Sequence, residues 1–115
     1  MQLTKSDLKR MHSKYNQRYF DGRLSMPDFY FLRNKRPFGR YSAGKTAKIG
    51  LSAFRKDWTE DFLKAVLIHE MIHQYVYERL YGSRYSLIQH GLQFHYVRWR
   101  LKSKFGLKIS GGPIF

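Results

Sequence analysis

The chain has 115 residues, enough for one domain spanning positions 1–115, and 43% of them are hydrophobic, enough for a core. Lys and Arg number 22 against 8 Asp and Glu, a net charge of +14, so an anionic partner is expected, DNA or another polyanion foremost. The absence of cysteine excludes disulfides and thiolate metal sites; with no secretory leader and no apolar run of about 18 residues, an intracellular protein (cytoplasmic or nucleoid-associated) without membrane contact is expected.

Leu3 to Phe20 reads as a helix. Leu8, Met11, Tyr15 and Tyr19 recur at spacings of three and four, which makes one apolar stripe. Thr4 with Asp7 forms a start signal. Lys5, Lys9, Arg10, Lys14 and Arg18 fall mostly off the stripe, on a solvated face, and His12 is expected to be exposed there. Asp21-Gly22-Arg23 stops the helix, and Met26-Pro27 leads out of the loop.

Asp28 to Arg33 is aromatic-rich and reads as a strand. Asn34-Lys35-Arg36-Pro37 is a turn. Gly39 to Ser42 and Ala47 to Ser52 read as two more short strands around an Ala43-Gly44-Lys45 turn, with Ile49 and Leu51 on one face and Lys48 and Gly50 on the other. Lys35, Arg36, Arg40, Lys45 and Lys48 interleave with Phe38 and Tyr41. That pattern suits a phosphate backbone with stacked bases, and equally a charged sheet edge that discourages strand pairing.

Thr59 caps a central helix running to about Leu80, with Glu60 and Asp61 at its positive end. Phe62, Leu63, Ala65, Val66, Leu67, Ile68, Met71, Ile72, Tyr75 and Val76 make most of its circumference apolar, so it should lie in the middle of the domain. Within it stands His69-Glu70-Met71-Ile72-His73. Two imidazoles four positions apart share one helix face, roughly 6 Å apart along the axis, and both can reach one small cation. The neighbouring carboxylate can meet a water held by that cation, the arrangement of zinc hydrolases. Burying these three groups is costly unless something satisfies them, and a metal does so.

Tyr81 to Gln89 reads as a loop, and His90-Gly91 opens a last helix to about Phe105, closed by Gly106. Gly111-Gly112-Pro113 makes the tail irregular. A catalytic zinc takes three protein ligands and leaves one position for water. No Asp or Glu follows Glu78, so a downstream carboxylate ligand is impossible, and Val76 and Arg79 occupy the places where a metzincin needs Gly and His. His90 and His95 remain. His90 sits at a helix mouth beside a glycine that permits close backbone approach; His95 points to another side and reads as an outer-layer or surface residue. Tyr81 and Tyr85 are the nearby candidates for stabilising an oxyanion.

His69-Glu70-Met71-Ile72-His73 followed by His90-Gly91-x-x-Phe94 resembles the SprT-like, Spartan-related metalloprotease domain. Tyr15-Asn16 and Tyr19-Phe20-Asp21-Gly22-x-Leu24 resemble that family's opening helix and turn, so the likeness runs from about Leu8 to Phe105. It implies that His69, His73 and His90 bind Zn2+, that Glu70 is the general base, and that the substrate is a protein, in some members one bound to DNA. Many SprT-like proteins continue into a cysteine zinc ribbon, of which this sequence carries none. The expected fold is α+β and zincin-like: an N-terminal helix, a small three-stranded mostly antiparallel sheet, the central HExxH helix and a C-terminal helix. The other reading is a non-enzymatic basic nucleic-acid-binding module whose metal is structural or absent.

Overall fold

The computed structural model describes residues 3–33, 38–52, 59–81 and 92–111. Helix α1 (Lys5–Tyr19) begins at a reciprocal cap, the Thr4 hydroxyl accepting from the Asp7 amide while the Asp7 carboxylate accepts from the Thr4 amide. All five cations on the expected solvated face are exposed. The inward face holds Leu8, His12, Tyr15 and Asn16.

His12 therefore departs from the expected exposed position: it is fully buried, one turn from Leu8 on the same stripe. Its Nε2 faces the Gln74 side-chain oxygen at 2.9 Å, which satisfies that end of the ring. Asn16 staples the following loop. Its side-chain amide donates to the Leu24 carbonyl and its side-chain oxygen accepts from the Leu24 amide. Its own carbonyl accepts from the Phe20 and Gly22 amides, as the chain turns through left-handed Asp21 and Gly22.

Three strands follow: β1 (Asp28–Leu32), β2 (Gly39–Ser42) and β3 (Lys48–Ser52), in the spatial order β1-β3-β2. The expectation of a mostly antiparallel sheet is corrected to a mixed one. β2 and β3 form the antiparallel hairpin, but β1 pairs parallel with β3, from Asp28 opposite Lys48 to Leu32 opposite Ser52. The physical reason is burial. Ile49 and Leu51 on β3 are wholly inaccessible, so the most apolar strand takes the centre and carries a neighbour on each edge.

Helix α2 (Glu60–Tyr75) starts where the Thr59 hydroxyl accepts from the Phe62 amide. It packs against α1, β2 and α3 (Leu92–Phe105), which leaves it buried over most of its surface. The helix does not stop at Tyr75. It widens into a π-helical turn over Val76–Tyr81. There Glu78 accepts from both the amide and the hydroxyl of Ser25, and Gln74 donates to Glu78 and to the Ser25 carbonyl. The end of the central helix is thus tied to the loop that Asn16 shapes. Leu8, Phe29, Ile49, Leu51, Leu67, Ile68 and Phe94 belong to one core shared by all three helices and the sheet. No described helix is long and apolar enough to cross a membrane.

Candidate active site

Every residue from Val66 to Val76 is buried, and among them His69, Glu70 and His73 are 2%, 3% and 5% exposed. One helical turn stacks the two imidazoles on the same face, their ring centroids 5.1 Å apart. Phe94, at the start of α3, closes over both: its ring lies 4.9 Å from that of His69 and 4.6 Å from that of His73. The rings are therefore held by aromatic packing. The Nδ1 of His69 is held further, donating to the Ser110 carbonyl at 3.1 Å.

Glu70 lies in the same dry environment. Burial pushes its carboxyl up to about 8, and the Arg40 guanidinium acts in the opposite direction. Strand β2 makes this arrangement possible at Gly39. A Cβ at that position would stand 2.8 Å from Val66 Cγ1 and 3.0 Å from Glu70 Oε2, so only glycine lets the strand pass this close to the carboxyl.

Of the residues singled out in the sequence, His69, Glu70 and His73 are brought together on α2. His90, Gly91 and Tyr85 lie outside the described residues, as does the side chain of Tyr81. His95 sits beside Phe94 on α3, half-buried, its ring 5.9 Å from that of Phe94. Among the described residues, no group of three or more His, Cys, Asp and Glu is placed to hold a metal ion. The two imidazoles and the carboxyl nevertheless suit a divalent cation in chemistry. They are nitrogen donors on one face with an acid beside them whose ionisation burial opposes and a neighbouring positive charge favours.

Four contributors escape a reading of the sequence. Phe94 reads as a core aromatic within the His90-Gly91-x-x-Phe94 pattern, and its contact with both imidazoles is what the sequence does not signal. Arg40 reads as one of several cations on a hairpin. Gly39 opens a strand, with nothing in the sequence to mark its approach to Glu70. Ser110 offers a backbone carbonyl, which carries no sequence signal at all. No curated protein matches the chain. The sequence model of the SprT-like family matches residues 8–111.

Proposed function

The chain belongs to the SprT-like family, a membership that supports a metalloprotease-type activity, and we propose that it is a zinc-dependent endopeptidase with Glu70 as its general base. The observation that carries this reading is the buried His69–Glu70–His73 face of α2. A structural histidine pair has no use for an adjoining carboxyl that is costly to bury. His69 and His73 would hold the ion together with His90. When bound, zinc supplies a Lewis acid that polarises a carbonyl oxygen and lowers the pKa of its water to about 7.

The chain's own groups do the rest. Beside a dication the carboxylate form of Glu70 becomes the favoured one. Glu70 then accepts a proton from the attacking water and returns it to the nitrogen of the leaving amine. Phe94 and the apolar residues of α2 exclude bulk water around that transfer. Among the described residues β2 pairs on one side only, with β3, and Gly39 sets it beside Glu70. An extended peptide added along the outer edge of β2 would carry its backbone past the carboxyl.

We further propose that the substrate is a protein associated with DNA or another polyanion. The net charge of +14 supports this, as do the exposed cations Lys45 and Lys48 on the hairpin. Elemental analysis of the folded chain after zinc supplementation tests the first half. About one zinc per chain is expected, with cleavage of an unfolded protein by wild type and none by Glu70→Gln. Folded protein that takes up no zinc would overturn the reading. Absence of duplex and single-strand binding at low salt would remove the polyanion half alone.

A further inference from the structure

We propose that the segment after α3, residues 107–111, is a positioning element for the site on α2. The Ser110 carbonyl holds the His69 imidazole in its Nδ1–H form, and Arg98 and Ile109 hold that carbonyl in place. The metal-binding part of this inference rests on the reading given under Proposed function.

The path of the chain carries the argument. Gly106 adopts a left-handed conformation, its amide donating to the Lys102 carbonyl at 2.9 Å, and the chain leaves the helix axis there. The Leu107 amide donates to the Leu101 carbonyl, which folds the segment back along α3. Ile109 then enters the core at 5% exposure. Arg98 Nη1 donates to the Ile109 carbonyl at 3.3 Å. At Gly111 a Cβ would stand 2.7 Å from Arg98 Cζ, so glycine lets the backbone lie against the guanidinium. Between these two anchors sits Ser110, whose carbonyl meets His69 Nδ1 at 3.1 Å across 41 residues of sequence.

A carbonyl oxygen can only accept. The contact therefore puts the proton on Nδ1 and the lone pair on Nε2, which is what a metal-binding imidazole needs. Helix α3 supports His69 twice: the Phe94 ring packs against it, and Arg98, one turn later, binds the Ile109 carbonyl, one residue before the Ser110 carbonyl that orients it. Arg98 and Gly111 are thus positioning residues, acting on the site through Ser110.

Two measurements on the full chain test this. In the zinc-free protein, long-range 1H–15N correlation should show His69 protonated at Nδ1, and Arg98→Ala and Gly111→Val should each lose that single tautomer. Competition with a chromophoric chelator should show zinc bound about 10- to 100-fold more weakly by both variants. Arg98→Lys, which keeps a donor, should recover part of the loss, while Lys102→Ala on the exposed side of α3 should bind as wild type does. Thermal melting of the zinc-free variants separates this from unfolding, since Gly111→Val leaves the Arg98 side chain intact if Arg98→Ala fails to fold. A wild-type His69 protonated at Nε2 overturns the proposal, as do folded variants that bind zinc as tightly as wild type. Wild-type protein that keeps the Nδ1 proton but takes up no zinc overturns the protease reading and the metal-binding half of this one, while the tautomer assignment stands.

Discussion

Two clusters of polar side chains meet on α2 and its π-helical extension, and they differ in what they hold. One runs through Gln74 as a chain of hydrogen bonds. Gln74 accepts from His12 and donates to Ser25 and Glu78, while Glu78 accepts from Ser25. The other is His69, Glu70 and His73, where burial drives the carboxyl up to about 8. The first cluster ties α1, the loop at Ser25 and the π-helical turn to one helix. The second keeps an acid in a setting that disfavours its charge. Adjacent positions, His73 and Gln74, belong to different clusters, Gln74 meeting His12 and Ser25 and His73 meeting Phe94. Burial of a polar group is thus not by itself a mark of function. What distinguishes the two is that the second holds a carboxyl whose charge burial strongly disfavours.

The sharpest way to break this comparison is Glu70→Gln. The amide keeps the shape and loses the base, so cleavage should fall about 100- to 10,000-fold while zinc content is unchanged. Equal cleavage by the variant would place the chemistry elsewhere. Next in size is Gln74→Leu. It strands the His12 Nε2 and removes one donor from Glu78, and should cost about 1–3 kcal/mol in chemical denaturation, with zinc affinity of the folded protein retained. A loss of zinc affinity without a loss of stability would mean the two clusters are one.

A smaller effect follows from His12, whose pKa burial holds below the ordinary histidine value of 6.5, with Gln74 and Glu78 acting the other way. The unfolded chain then takes up this proton at a higher pH than the folded one. Stability of the zinc-free protein should therefore be full above about pH 6.5 and decline as pH falls below it. His12→Gln should flatten that part of the curve, read from urea midpoints between pH 5 and 8. The smallest expected effect is at the surface. Lys45→Glu with Lys48→Glu should leave melting within about 0.5 kcal/mol of wild type. The same pair should weaken binding to a DNA duplex and lower its salt dependence. Unchanged DNA binding would move the polyanion surface off the hairpin.

Much of this was legible in the residues because local rules govern it. Thr4 with Asp7 and Thr59 mark helix starts, since a side-chain oxygen satisfies amides within one turn. The alternation of Ile49 and Leu51 marks the inward face of β3. The apolar circumference of α2 marks its burial, and the four-residue spacing of His69 and His73 marks their common face. Misread features were those where a side chain answers to something distant in sequence. His12 looks solvated until Gln74, 62 positions away, provides its acceptor. Arg40 looks like part of a basic loop until β2 lies against Glu70.

By itself the sequence determined the elements, their inward faces and the pairing of histidines with a carboxylate on one turn of one helix. These depend on helical and strand periodicity, which needs no knowledge of the rest of the chain. Only the tertiary structure decided that β3 is central with a parallel neighbour, that Phe94 braces both imidazoles, and that the Ser110 carbonyl meets His69. Each of those is set by which surfaces exclude water together. Backbone carbonyls are the same at every position, so which one meets a given side chain is settled by packing and not by residue type.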